Sequence, residues 1–152
     1  MQTINLTQPG TYSYTLSQEG SELEIIGRFW LKGKEKFDLH LTVIHAAPHT
    51  SAKISLKAVV EGRGVANLNG TVIIQKSAPQ TDTFLEERVL LLSDQARATA
   101  IPNLEILNHD VKCSHAATIG RLDDEQLFYL MSRGLSKARA THLLAQGFLG
   151  QS

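Results

Sequence analysis

The chain has little of what several functional classes require. Its 152 residues include one cysteine, Cys113, so an intrachain disulfide is excluded. Lys and Arg number 15, as do Asp and Glu, so no net positive charge is available to attract nucleic acid or an anionic membrane. No apolar run approaches the roughly 18 residues that a membrane-spanning helix needs. We therefore expect neither nucleic-acid nor membrane partners.

Features of export are also missing from the N-terminus. The segment MQTINLTQPG has no basic n-region and no apolar h-region, so it does not resemble a signal peptide. Together with the single cysteine, this predicts a cytoplasmic protein. The length and the 42% content of hydrophobic residues suit one domain with a sizeable core.

Short alternating segments dominate most of the chain. From Leu23 to about Ala117, apolar and polar residues alternate with a period of two, and β-branched residues are frequent. Residues 1–20 show only weak alternation. No helical pattern interrupts the alternation, so a sandwich, a barrel and a β-helix are all possible for an all-β core over 1–120. The even spacing of many short strands favours a solenoid.

The pattern changes in the last part of the chain, 121–152, which we predict to be a small helical subdomain. Asp123 is a predicted N-cap, and Gly134 is a predicted helix stop. Ser136 is a second predicted N-cap, and the second helix is expected to end near Gly147. Both helices carry apolar faces. Such a face packs either on its own domain or on another protein, and the sequence leaves both open.

Cys113 and His115 are the first candidates for chemistry. In a strand, residues i and i+2 point to one face, with Cα atoms about 7 Å apart. A thiol and an imidazole placed this way could bind iron, copper or zinc, or the imidazolium could stabilise a thiolate. The alternative is that Cys113 is simply a core residue, because Val111 and Ile119 share its parity. Two ligands do not complete a metal site, so further donors would come from another segment or chain.

Other motifs are weaker. His40, His45 and His49 cluster in sequence, but the loop between the last two leaves their geometry undefined, and no metal site is predicted there. The glycines at 62 and 64 do not form a phosphate loop, because no Lys–hydroxyl pair and no strand-to-helix transition follow them. We therefore expect this chain to bind no nucleotide.

Several motifs, in order along the chain, resemble the SufB/SufD family. They are Leu-Leu-Leu-Ser-Asp at 90–94, Ile-Pro-Asn-Leu-Glu-Ile at 101–106, Asp-Val-Lys-Cys-Ser-His at 110–115 and Phe-Tyr-Leu-Met-Ser-Arg-Gly at 128–134. The likeness spans roughly 60–149 and corresponds to the C-terminal part of the family. The Lys-Cys-Ser-His block is more similar to SufD than to SufB.

The resemblance implies a right-handed parallel β-helix followed by a C-terminal α-helical hairpin. It also implies a non-catalytic scaffold role in iron–sulfur cluster assembly. In that family, SufB and SufD pair through their β-helices and bind SufC, an ABC-type ATPase, through their C-terminal helices. His115 occupies the position of a histidine implicated in the cluster site at the SufB–SufD interface, and Cys113 occupies the adjacent cysteine position.

These implications give expectations about partners and sites. We expect a SufC-like ATPase, and either a SufB-like subunit or a second copy of this chain. His115 and Cys113 would hold an iron–sulfur cluster transiently. The residues expected to bind the ATPase are Asp123, Leu127, Phe128, Tyr129, Arg133, Leu143 and Phe148.

Two other functions compete with the scaffold role. One is a purely structural homodimeric interaction module that binds no cluster. The other is an enzyme, since β-helices also occur among polysaccharide lyases and esterases. The second is disfavoured because the strands carry few charges at matched positions.

Overall fold

The structure, a computed structural model, describes residues 1–150 and confirms the parallel β-helix followed by two helices. The elements are β1 (Gln2–Leu6), β2 (Gly10–Leu16), β3 (Glu22–Leu31), β4 (Lys36–His45), β5 (Ser51–Val60), β6 (Val65–Ile74), β7 (Thr81–Leu91), β8 (Arg97–Ala100), β9 (Asn103–Ile106), β10 (Val111–Arg121), α1 (Asp124–Ser132) and α2 (Lys137–Leu149). The predicted helical segment 121–152 includes Gln151 and Ser152, which lie outside the described residues.

The strands form two parallel sheets that alternate along the chain. Sheet A has the order β1-β3-β5-β7-β10, and sheet B has the order β2-β4-β6-β8, with β9 also paired to β6. Glu22 pairs with Ser51, and Ser51 pairs with Asp82, so each coil takes roughly 30 residues. Each coil therefore stacks one strand on each sheet.

The core lies between the two sheets and consists of columns of aliphatic side chains. Ile25, Ile54 and Leu85 occupy one register position in three successive strands of sheet A, and all are buried. Leu39 and Leu68 are paired in the same way in sheet B. The period of two in the sequence thus places one residue of each pair inside the solenoid.

Two strands form within the weakly alternating residues 1–20. β1 pairs in parallel with β3, and β2 with β4. Leu6 and Leu16 end these strands and are buried in the core. Backbone hydrogen bonding to a neighbouring strand can therefore stabilise a first coil whose own sequence alternates only weakly between apolar and polar residues.

The two helices begin at the predicted caps, but the second ends later than predicted. The Asp123 carboxylate accepts a hydrogen bond from the Glu125 amide, and the Ser136 hydroxyl accepts one from the Arg139 amide. The expected end near Gly147 holds to within two residues: α2 continues to Leu149 because Gly150, at φ 77°, supplies the left-handed cap.

Helix α2 packs on the outer face of sheet A. Ala145 and Leu149 are buried against Val59 and Leu90. Arg28 donates a hydrogen bond of 2.8 Å from Nε to the Leu149 carbonyl oxygen. A cation at the C-terminal end of a helix also interacts favourably with the helix dipole.

Helix α1, by contrast, buries none of its residues. The apolar face of α2 therefore packs on its own domain, which is the first of the two alternatives that the sequence left open. The apolar face of α1 remains largely in solvent. No helix within residues 1–150 is long and apolar enough to cross a membrane.

Candidate functional site

The last coil of the solenoid is open on one side. β10 is the terminal strand of sheet A, and among residues 1–150 only β7 pairs with it. On sheet B, the last coil is formed by β8 and β9, which the residues Ile101 and Pro102 separate. An eleven-residue strand with one unpaired edge thus ends the β-helix.

Cys113 and His115 lie on the inward-facing side of this last coil. Cys113 is in register with Thr83, and His115 with Leu85, both of which are buried inside the preceding coil. Among the residues that the structure describes, no further strand lies above them. His115 is therefore exposed, and Cys113 is half-buried against the core.

The thiol of Cys113 is in an environment that favours its neutral form. Burial raises the pKa of this thiol above its usual value. The structure therefore does not support the second chemistry considered for Cys113 and His115, a thiolate stabilised by the imidazolium. A metal would have to displace the thiol proton when it binds.

The last coil of the solenoid also carries exposed apolar side chains. Ile101, Ile106, Leu107 and Ile119 are all exposed, between 40% and 50%. Within residues 1–150, no three His, Cys, Asp or Glu side chains come together in an arrangement that could hold a metal ion. A metal at Cys113 and His115 would therefore need further donors from outside the described residues.

The predicted ATPase-binding residues fall into two groups. Phe128, Tyr129 and Leu143 are exposed by 74%, 58% and 50%, and the Arg133 guanidinium lies 5.8 Å from the centre of the Tyr129 ring. We call these four residues the hairpin surface. Three of them are apolar or aromatic, and the fourth is a cation.

The remaining three have structural contacts. The Asp123 carboxylate caps α1, and Leu127 is half-buried. The Phe148 ring lies 5.8 Å from Lys57 Nζ and 5.3 Å from the Arg88 guanidinium carbon, and it packs on the outer face of sheet A. These side chains are therefore less available to a partner than those of the hairpin surface.

A groove of about 550 Å³ separates the hairpin from the end of the solenoid. Thr118 and Gly120 of β10 line one wall, and Leu143 and Gly147 of α2 line the other. Residues of β10 and of α2 thus line the same groove, and Leu143 is the member of the hairpin surface that borders it.

Two ionisable residues are fully buried, although the sequence analysis did not predict burial for either of them. His45 is fully buried, with Nδ1 2.8 Å from the Thr50 hydroxyl, and burial lowers its pKa to about 4. Glu87 is fully buried beside Gly70, and burial raises its pKa to about 7. The signal for Glu87 was its parity, because it alternates in phase with the buried residues Leu85 and Val89 of β7.

Comparison with known proteins identifies a family over nearly the whole chain. The model of the SufBD core domain, described as SUF system FeS cluster assembly, matches residues 7–148. The match begins far before residue 60, where the sequence motifs suggested that the likeness starts. The N-terminal coils therefore belong to the same domain as the motif-bearing C-terminal part.

Individual relatives agree with this match. An iron–sulfur cluster assembly SufBD family protein of Mycobacterium tuberculosis (strain H37Rv) is 38% identical over 140 residues, covering 87% of this chain and 35% of the relative. SufD of Escherichia coli K12 is 34% identical over 139 residues, with 91% and 33% coverage. SufB of Bacillus subtilis is 34% identical over 118 residues, with 78% and 25% coverage. The chain thus spans about a third of the length of these relatives or less.

Proposed function

Because the chain belongs to the SufBD family of iron–sulfur cluster assembly proteins, we propose that it is a non-catalytic scaffold subunit of a SUF-type complex. It pairs with another subunit through the open coil and holds a cluster there in transit. The observation that supports this most is the position of Cys113 and His115, both on the inward-facing side of the terminal strand and both outside the closed core.

Pairing is supported by the edge of β10 and its apolar surroundings. An unpaired edge strand presents backbone donors and acceptors to which a partner strand can add. Ile106 and Ile119 would lose their exposed apolar area on association, which is favourable. The partner is a SufB-like subunit or a second copy of this chain.

The cluster is the cargo of the proposed complex. Thiolate and imidazole are suitable donors for iron, and Cys113 and His115 offer one of each. The partner supplies the remaining donors, because these two do not complete a site. Since the thiol of Cys113 has a raised pKa, cluster binding at this residue releases a proton.

The hairpin surface is the proposed docking site for a SufC-like ABC-type ATPase. Aromatic and Arg side chains are enriched among residues that contribute most to interfaces, and Phe128, Tyr129 and Arg133 supply both kinds. The nucleotide chemistry belongs to that partner. The proposed compartment of the complex is the cytoplasm.

Replacement of His115 by Ala is expected to lower cluster loading at least as much as the roughly tenfold loss typical of changes around metal ligands. The protein and its SUF partners from one source are reconstituted anaerobically with iron and sulfide, and bound iron, sulfide and visible absorption are measured. His109→Ala is the matched control, because His109 is exposed in the turn before β10 and is not on its inward face. A complex that loads equally well without His115 supports the alternative, a structural module that binds no cluster.

Replacement of Phe128 by Ala is expected to weaken ATPase binding by about 2 kcal/mol, the size expected for a central aromatic contact. The fold should be unaffected, because the ring is 74% exposed. Binding is measured by calorimetry with the purified ATPase. Phe84→Ala, an exposed aromatic on β7, serves as the control. Unchanged affinity in the Phe128 variant would place the ATPase elsewhere.

A further inference from the structure

Glu87 is a buried acid in the coil directly beneath the open end. In the neighbouring strands of sheet A its register partners are Leu56 of β5 and Ala117 of β10. The Gly70 amide donates a hydrogen bond to Glu87 Oε1, whereas Oε2 has no hydrogen-bond partner within residues 1–150. Ionisation of a buried carboxyl group that has one hydrogen-bond donor and one unpartnered oxygen is energetically unfavourable.

The carboxyl group is packed closely against Gly70 on one side. On the side of the last coil, only small or interrupted structure covers it. A Cβ atom at Gly70 would lie 2.7 Å from Glu87 Oε1, so only glycine leaves room for the acid. In the coil above, its cover on sheet A is Ala117, a small and exposed residue. On sheet B, the ladder above Gly70 is interrupted at Pro102, between β8 and β9.

No cation faces Glu87 from the elements packed around it. The nearest inward-facing neighbours on β5, β6 and β7 are aliphatic or Gly70, and those on β10 are His115, Ala117 and Ile119. On β8 and β9 the inward-facing residues are Ala98, Ala100 and Leu104. His115 is the one titratable group among them, and it lies exposed in the coil above. Glu86 and Arg88 flank Glu87 in sequence but project from the opposite face of β7.

We propose that Glu87 is a positioning residue whose protonation holds the terminal coil closed, and so controls how Cys113 and His115 are presented. The role of Cys113 and His115 in this inference rests on the proposed function. The coupling between Glu87 protonation and opening of the terminal coil does not, and it is measured separately. When the carboxyl group is neutral, the coil formed by β8, β9 and β10 closes over it. When it ionises, water must reach Oε2, and it enters past Ala117 and Pro102, the register neighbours of Glu87 and Gly70 in the coil above.

The direction of the pH effect follows from linkage. In the closed coil the pKa of Glu87 is about 7, whereas a solvated carboxyl group titrates near 4.5. The closed form therefore binds more protons than the open form between these values. Opening of the terminal coil should increase roughly tenfold per pH unit from about pH 5 to pH 7, and should level off above pH 7.

Amide hydrogen exchange measures this opening strand by strand. The parent protein, Glu87→Gln and the control Glu86→Gln are compared from pH 5 to pH 8, with rates corrected for the intrinsic pH dependence of exchange. In the parent and the control, protection of β10 amides should fall by roughly a hundredfold up to pH 7, while β3 amides keep theirs. In Glu87→Gln, protection of β10 should be flat over this range.

Three results would overturn the proposal: an unchanged β10 slope in Glu87→Gln, no slope in the parent, or the same slope in β3. If Glu87→Gln does not fold, the carboxyl carbon of Glu87 in the parent is titrated by NMR, and a midpoint below pH 5 refutes the coupling. Iron loading with and without His115 is measured on the same samples. A β10 slope without His115-dependent loading would disprove the proposed function and leave the coupling intact, and the reverse pattern would do the opposite.

Discussion

Gly70→Ala is expected to destabilise the β-helix by roughly 3 kcal/mol. The added Cβ would lie 2.7 Å from Glu87 Oε1 and 2.9 Å from a methyl carbon of Leu85, and both neighbours are fully buried. Overpacking in a close-packed core costs about 1–3 kcal/mol. Moving Glu87 aside to relieve the contact would also break its hydrogen bond to the Gly70 amide, so the two penalties add.

The measurement is urea unfolding of the parent and variant at pH 6. Gly147→Ala is the control, because Gly147 lies inside α2 with nothing within 4 Å of the added Cβ, and alanine there should be neutral or stabilising by up to about 1 kcal/mol. A double variant, Gly70→Ala with Glu87→Ala, should recover part of the loss, since the shorter side chain removes the contact. A Gly70 variant as stable as the parent would show that the core absorbs the methyl group by shifting.

His45 and Glu87 are expected to contribute opposite pH dependences to the stability of the whole domain. Glu87 has a raised pKa of about 7, so its contribution to the free energy of unfolding decreases as pH rises from about 4.5 to 7. His45 has a lowered pKa of about 4, so its contribution decreases as pH falls from about 6.5 to 4. Each change amounts to about 3 kcal/mol, and between pH 4.5 and 6.5 the two nearly cancel.

Single substitutions should reveal each slope. In Glu87→Gln the His45 contribution is no longer offset, so stability should fall by about 3 kcal/mol, relative to the parent, from pH 6.5 to 4.5. In His45→Asn the slope should have the opposite sign, with stability falling as pH rises over the same range. Asparagine can still donate to the Thr50 hydroxyl, which His45 Nδ1 contacts at 2.8 Å.

The free energy of unfolding is measured with urea at half-unit steps of pH from 4.5 to 8. Two substitutions outside the core, Glu86→Gln at a half-buried site and His49→Asn at an exposed one, control for the loss of an ionisable group as such. Variant curves that run parallel to the parent curve would show that neither buried group is linked to folding. The Nδ1-protonated tautomer of His45 is compatible with its contacts, because it leaves the Thr50 hydroxyl free to donate to the Ala47 carbonyl.

Much of the fold and part of the site were determined by local sequence. Alternation with a period of two defined the strands, because side chains of a strand project to opposite faces whatever it pairs with. Asp123 and Ser136 set the starts of the helices, because capping satisfies amides only two or three residues away. The same parity rule put Cys113 and His115 on one face.

Tertiary structure decided what each polar side chain meets inside the solenoid. Parity with Leu85 and Val89 indicated that Glu87 faces the core, but it could not show what the carboxyl group meets there. Those contacts depend on Gly70 across the solenoid and on strands about 30 residues away in either direction. Tertiary structure also decided that α2 packs on sheet A whereas α1 does not. The open coil has the same origin: β10 continues the columns of the core, but within residues 1–150 no further coil covers Cys113 and His115.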